Sequence, residues 1–573
     1  MELALELIVL FGAIFLGVRL GGMAIGYAGG IGVILLSLGL GLKPGAIPWD
    51  VILIIMSVIA AITAMQVAGG LDYMVQVAEK VLRKNPKQIN YLAPTVTYLL
   101  TFLAGTGHTA FSMIPVIVEV AKEQNIKPSV PLSIAVVSSQ IAITASPVSA
   151  AVVWMSGELE KYGWSYPMLL LVWAITTYCG CMITAFIVSK FSNLDLSSDP
   201  VYQERLKAGL IRQVEGGIHQ VSLPKSAKTS VMIFLAGVVL VVFYATSISN
   251  VVRIPMLNFV NDFVPVYMDK ELESARLKIL DKVPLGNEQG IEIVKAVDTQ
   301  IASAKQKFYA ADFKNDSSQI DAYQDVLKET KANLLPILSE NAEASKVMET
   351  SLDYLITNSN QFLTDYVQKD GIIGSLFAIV KSYIDPVRLP RDGAIMSFML
   401  AIATLIVIFC KVDTTKLLDT GTFKAGMTAC VCVLGVAWLG NTFVGAHEKE
   451  IGLLAGKMVQ QYPWLLAVAL FFASMLLYSQ AATAKAIMPT VIGALGITAL
   501  NPGDSYILVA SFAAVSALFV LPTYPTLLGA VQMDDTGSTR IGKYIFNHAF
   551  IVPGVLAIAI TVALGFVIVP FLA

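Results

Sequence analysis

Two stretches of small, hydroxyl-bearing residues interrupt long apolar runs in this 573-residue chain. The first is Gly105-Thr-Gly-His-Thr-Ala-Phe-Ser-Met-Ile-Pro115 and the second is Ser479-Gln-Ala-Ala-Thr-Ala-Lys-Ala-Ile-Met-Pro489. In each, a proline follows a threonine, Thr109 or Thr483, by six positions. Each copy is followed by a second polar break, Thr144-Ala-Ser-Pro-Val-Ser149 or Leu521-Pro-Thr-Tyr-Pro-Thr526. A helix broken at membrane depth exposes backbone N–H groups where its second part begins, and the helix dipole places roughly half a positive charge there. Ser146-Pro147 reads as an N-cap followed by proline at the first helical position. Tyr524-Pro525-Thr526 supplies the matching proline without the ideal cap, with Thr523 close by. Four such starts meeting near one plane would carry about +2 of partial charge, which suits a small anion with two carboxylates.

Direct hydrogen bonds to such a solute would come from the hydroxyls of Thr106, Thr109, Thr144, Ser146, Ser149, Ser479, Thr483, Thr523 and Thr526, and from the amides of Gln140 and Gln480. Gly107, Pro147, Tyr524 and Pro525 complete the candidate binding set at the breaks. Against this, Ser and Thr in membrane helices often bond their own backbone or a neighbouring helix. Clustering at four matched breaks is what points to a site. Lys485 is the one Asp, Glu, Lys or Arg between Met458 and Gly503. An intramembrane charge is costly unless functional or paired, so Lys485 faces the solute, snorkels outward or pairs with a carboxylate. His108, at the first tip, either titrates near neutral pH and couples a proton or stays a neutral hydrogen-bonded residue. His548 is expected at a helix start near the inner surface. Asp534, Asp535 and Arg540 are candidates for gating or coupling. The Cys-x-Cys pairs around Cys179, Cys181, Cys430 and Cys432 lack the companion ligands of a closed metal site, and with Cys410 they read as packing residues. No metal and no cofactor is expected, apart from H⁺ or Na⁺ as a coupling ion.

The elements that must position these residues follow from composition. The chain is 56% hydrophobic and 14% charged. Runs free of Asp, Glu, Lys and Arg include 20–42, 51–71, 89–118, 129–157, 162–189, 229–252, 425–446, 458–484, 505–533 and 544–573. Each exceeds the ~20 residues needed to cross a bilayer core. As one straight helix, 89–118 would reach ~45 Å against a core of ~30 Å, and Gly105 to Gly107 give it a place to turn. With 89–118 and 458–500 as re-entrant hairpins, the loops on one side hold 18 Lys/Arg and the short loops opposite hold 4. That asymmetry assigns the first set to the cytoplasm and both termini to the outside. Glu2 and Glu6 stand where a cleavable signal peptide carries positive charge, so the first apolar run is expected to be retained. The net charge of −2 says nothing about nucleic acid, and no basic tract suggests it.

The fold class read from this plan is an all-α polytopic membrane protein. It comprises two inverted repeats of five spans, each with a re-entrant hairpin, plus an inserted soluble helical domain. Residues 1–252 would hold the first repeat and the start of the second, 253–392 the insertion, and 393–573 the remaining spans. Residues 253–392 concentrate 37 of the 80 charges. There Phe308, Phe313, Tyr323, Leu327, Leu334 and Leu335 recur near helical spacing and would form a bundle core.

At the polar breaks the sequence resembles the Dcu family of bacterial anaerobic C4-dicarboxylate transporters, nearest to its DcuA branch. The stretches that carry the resemblance include Met65-Gln-Val-Ala-Gly-Gly-Leu-Asp72, Leu82-Arg-Lys-Asn-Pro-Lys87, Gly105-Thr-Gly and Ser139-Gln-Ile-Ala-Ile-Thr-Ala-Ser-Pro147. Tyr478-Ser-Gln-Ala-Ala-Thr-Ala-Lys485, Leu521-Pro-Thr-Tyr-Pro-Thr526 and Val531-Gln-Met-Asp-Asp-Thr-Gly537 extend it. The resemblance covers about 1–250 and 390–573; 253–392 departs from the short loop expected there. It implies uptake, exchange or efflux of aspartate, fumarate, malate and succinate across a bacterial inner membrane and an elevator-type fold of the ion-transporter superfamily. Within that range the expectation is exchange by alternating access, with a moving carrier unit on a dimeric scaffold. Lipid and dicarboxylates are then the expected partners, and a cation-coupled symporter is the alternative. An intramembrane enzyme is disfavoured, since the spans lack HExxH, GxSxG or paired carboxylates.

Overall fold

Glycine and hydroxyl residues break the apolar runs into helices of unequal length, and those breaks decide where polar backbone is left over. The computed structural model describes residues 2–20, 23–211, 223–261, 268–283, 288–310, 317–339, 341–369, 372–447, 458–477, 479–498, 501–521, 524–543 and 546–572. Thr523 lies outside the described residues, as do the side chains of His108, Phe308 and Phe313.

Among the described residues the chain is helical and has no strand longer than isolated bridges. Among the described residues seven helices are long and apolar enough to cross a membrane: Trp49–Val67, Ser129–Glu160, Tyr166–Phe191, Ser226–Ser247, Arg391–Phe409, Gly421–Ala446 and Ile551–Phe571. The protein is therefore a multi-pass membrane protein. It folds as two compact units, 1–251 with 389–573, and 252–388.

In the first unit helices pack in matching pairs. Ile89–Ala104 packs on Ser129–Ala142, as Leu465–Leu477 packs on Phe512–Phe519. Trp49–Val67 lies against Arg391–Phe409, and Ala24–Ile34 against Val433–Ala437. Ile114–Glu123 meets Pro525–Met533, and Gln480–Leu495 meets Ala150–Glu160. The crossing of Ala24–Ile34 with Val433–Ala437 is backbone to backbone, because Gly435 lies against the Gly26 backbone with no room for a Cβ.

Residues 89–118 do not form one helix. Ile89–Ala104 ends at Gly105, whose φ of 69° is the left-handed geometry that glycine adopts without strain. The chain continues through a 3₁₀ turn, Gly107–Met113, into Ile114–Glu123, which packs back on Ile89–Ala104.

In the second unit Met268–Leu280, Glu288–Ala310, Ser317–Ile337 and Ala342–Lys369 pack each on the next and the last on the first, a four-helix arrangement. Tyr323, Leu327 and Leu334 are in its core as expected. Leu335 is 44% exposed, because Leu334 and Leu338 continue the face that Leu327 begins and Leu335 falls off it. One helix of this unit, Ile372–Ile384, is apolar and exposed, which the average composition of 253–392 conceals.

Candidate functional site

The four polar breaks meet. A cavity of about 130 Å³ is lined by Gly105 and Thr106 of the first tip, by Ile143, Val148, Ala150 and Ala151 of the first break, by Ser479, Gln480 and Ala481 of the second tip, and by Tyr524 and Pro525 of the second break. Ala150, Gln480 and Pro525 are each the first residue of an α-helix, and Thr106 immediately precedes the 3₁₀ turn. The cavity is thus bordered by three α-helix starts and one 3₁₀ turn, with the positive ends of the three helix dipoles gathered in one place. The rest of its lining is mostly apolar: Ile54, Ile55, Val58 and Ile59 from one helix, with Cys432 and Val433 from another that also contributes Thr428.

Local bonding explains why these starts hold their shape. Ser479 is extended, and its hydroxyl caps the next helix by accepting from the Ala482 N–H at 3.2 Å. In the first break the expected cap moves. Ser146 is not the N-cap; Ser149 is, accepting from the Val152 N–H at 3.2 Å and donating to the Ile143 carbonyl at 2.7 Å. The reason is a turn: the Ser149 N–H donates to the Ser146 carbonyl, so Pro147 serves as the second residue of that turn rather than the first of the helix. Tyr524-Pro525 behaves as read, with Tyr524 extended and Pro525 opening the helix.

Of the candidate binding residues, Thr106, Ser479, Gln480, Tyr524 and Pro525 line the cavity. The others that are described stand behind it. Thr109 bonds the Thr106 carbonyl and the Thr101 hydroxyl, and Thr144 donates to the Ile141 carbonyl. Thr483 donates to the Ser479 carbonyl at 2.8 Å, and Ser146 accepts from the Val148 N–H. The Pro147 carbonyl accepts from the Tyr166 hydroxyl. Gln140 is fully buried and reaches across to Thr526, while its own carbonyl accepts from Gln480. Gly107 closes against the Gln140 amide.

Lys485 pairs with Asp50, at the first turn of Trp49–Val67, and lies 5.9 Å from the Trp154 ring centre. Of its three readings the structure shows the carboxylate partner. Asp534 is spent on a local turn, accepting from Thr536, Ser538 and Thr539. Asp535 pairs with Lys122 at 2.8 Å, and Arg540 approaches Asp199 at 3.9 Å. Burial pushes the Asp199 carboxyl up, but Lys127 at 3.0 Å and the N–H groups of Tyr202 and Val201 outweigh it and hold the pKa below the ordinary value. These contacts tie residues 122–127, 199–205 and 534–540 together away from the cavity. His548 is buried, with Nε2 3.0 Å from the Val520 carbonyl.

Two groups went unread in the sequence. Asp50 has the form of an ordinary helix-start carboxylate. Arg391 is buried, pairs with Glu160 at 2.8 Å and stacks 4.7 Å from the Tyr166 ring centre. A basic residue at the start of an apolar helix, where the dipole disfavours it, was the available sign.

The profile of a family described as anaerobic C4-dicarboxylate membrane transporters matches residues 2–279 and 294–573. The match takes in all of 253–392 except 280–293, so the stretch expected to depart from the family is shared with it. The C4-dicarboxylate transporter DcuA of Wolinella succinogenes is 52% identical over 570 residues, with all of both chains covered. DcuA of Helicobacter pylori strain 26695 is 48% identical over 565 residues, covering 99% of this chain and 98% of the relative. DcuA of Escherichia coli K12 is 44% identical over 570 residues, again with both chains fully covered. No solved structure matches significantly.

Proposed function

Since this chain belongs to the family of anaerobic C4-dicarboxylate membrane transporters, we propose that it exchanges C4-dicarboxylates, among them aspartate, fumarate, malate and succinate, across a bacterial inner membrane. The observation that carries this reading is the convergence of three α-helix starts and a 3₁₀ turn on one cavity. A dianion needs positive potential without the cost of buried lysines, and backbone dipoles held by capping bonds supply it. Ser479, Gln480 and Thr106 would add directed hydrogen bonds to the carboxylates.

The make-up of the cavity lining supports alternating access. The polar wall comes from the two tips and the two breaks, which interlock through Gln140, Thr526 and Gln480; it would move as the carrier. The apolar wall offers a smooth surface of isoleucine and valine to slide against, and its helices would form a dimeric scaffold. The matching helix pairs support two inverted repeats, and the Lys/Arg count supports both termini and residues 253–392 on the periplasmic side.

Purified protein in liposomes tests this. Labelled fumarate or aspartate should enter when unlabelled dicarboxylate is inside and should not enter empty vesicles. Uptake into empty vesicles driven by a Na⁺ or H⁺ gradient would replace exchange with cation-coupled symport.

A further inference from the structure

Residues 252–388 carry a surface that their charge content hides. Among the described side chains, each helix of the four-helix arrangement exposes one large apolar residue: Leu277, Ile291, Leu335 and Tyr354. Scattered single exposures of this kind are ordinary on a water-facing protein. Ile372–Ile384 is different. Ile372, Ile373, Leu376, Ile379 and Tyr383 are between 54 and 83% exposed, and Val380 is 43% exposed. Their spacing runs along one side of the helix. Asn250–Asn261 adds Ile254 and Phe259, which are 50 and 57% exposed. The two helices are antiparallel partners: Arg253 pairs with Asp385 at 2.9 Å near one end, and the rings of Phe259 and Phe377 lie 6.2 Å apart further along.

Chain connectivity narrows what covers this stripe. Residues 248–249 alone separate Asn250–Asn261 from Ser226–Ser247, a helix long and apolar enough to span a membrane. Residues 385–390 alone separate Ile372–Ile384 from Arg391–Phe409, another such helix. At ~3.5 Å per residue those links reach only ~7 and ~20 Å, so both helices are tethered at the membrane face. Ile372–Ile384 is 13 residues, ~20 Å, too short to cross a ~30 Å core. An apolar helix of that length belongs in a protein core or in the membrane interface, and its exposure excludes the core.

We propose that Asn250–Asn261 and Ile372–Ile384 form an interfacial lipid-binding pair, with the stripe from Ile372 to Tyr383 seated at the boundary between headgroups and acyl chains. Lys381, Arg253 and Arg388 would lie at headgroup level, and Tyr383 is the kind of residue that settles there. The occupant is lipid rather than a second copy of this chain, because links of only two and six residues join the pair to helices long and apolar enough to cross a membrane.

Spin labels on the full-length protein distinguish the two. Leu376→Cys and Ile379→Cys, with Glu292→Cys and Lys328→Cys as controls, would be labelled in bilayers of phosphatidylethanolamine and phosphatidylglycerol, with parent protein labelled in parallel for the native thiols. All four positions are surface sites that tolerate a label. Collision with oxygen should exceed collision with a water-soluble nickel chelate at 376 and 379, and the order should reverse at 292 and 328. A nickel-dominated signal at 376 and 379 places the stripe in water and overturns the proposal. Exclusion of both reagents means protein covers the stripe, which overturns it equally.

Discussion

The buried side-chain amide of Gln140 donates to the Thr526 hydroxyl at 3.0 Å, and the Gln140 backbone carbonyl accepts from Gln480 at 3.3 Å. One residue in the last turn before the first break therefore braces the helix start of the second break and the start of Gln480–Leu495. Thr526→Val would leave the amide buried without its acceptor, a cost of about 1–3 kcal/mol. A loss of roughly five- to a hundred-fold in fumarate affinity is expected, together with a lower Tm in detergent, whereas Thr526→Ser should stay near the parent. Parental Tm and affinity in the valine variant would mean the bond is not used.

Ser479 and Thr483 sit one helical turn apart and should respond differently. Thr483 spends its hydroxyl on the Ser479 carbonyl, so Thr483→Val removes a local bond and no cavity group. Ser479→Ala removes a helix cap, about 0.5–2 kcal/mol, and a hydroxyl that lines the cavity. Binding titrations of succinate should show a clearly larger increase in Kd for Ser479→Ala. The reverse order would move the ligand one turn deeper along Gln480–Leu495.

Asp199 carries a pH signature. Its folded-state pKa lies below the unfolded value of ~3.9, so its stabilising contribution is present above that value and is lost as pH falls through the folded value. Between pH 5 and 8 its contribution should therefore be flat. Asp199→Asn should lower Tm at pH 7, and the gap to the parent should shrink as pH is taken from 5 toward 3. A gap that stays constant down to pH 3 would attribute the loss to packing rather than to the pairing with Lys127.

The breaks could be read from the sequence because glycine, serine, threonine and proline in an apolar run have few other uses. Position within a break was less readable. Ser146 and Ser149 both suit a cap, and only the turn through Pro147 decides between them. Five of the candidate residues line the cavity and the other described hydroxyls bond nearby backbone or side chains, since a hydroxyl that faces a ligand and one that braces a backbone have the same local pattern. The apolar wall of Ile54, Ile55, Val58 and Ile59 could not be read at all: such a helical face looks the same whether it meets lipid, protein or solute. Ile372–Ile384 was hidden for another reason, because charged helices on its N-terminal side dominate the composition of the whole stretch.

The pair between Lys485 and Asp50 links positions 435 residues apart, and its two ends are unequally shielded. The Lys485 side chain is 14% exposed and that of Asp50 is 41% exposed. Removing the lysine leaves a carboxylate that water can reach, at the first turn of a helix whose dipole favours it. The expected cost is that of a surface pair, up to ~1 kcal/mol. Removing the aspartate strands an ammonium in a mostly buried position. For a fully buried pair that costs about 3–5 kcal/mol, and partial exposure brings it to roughly 1–3 kcal/mol. Asp50→Asn should therefore lower Tm and exchange more than Lys485→Met, and the double variant should recover much of the loss of Asp50→Asn. Substrate choice should not move: fumarate and its monomethyl ester should compete with the same ratio in parent and variants, because Lys485 is not among the residues that line the cavity. A selective loss of the dianion in Lys485→Met would instead put the ammonium beside the substrate at some stage of the cycle.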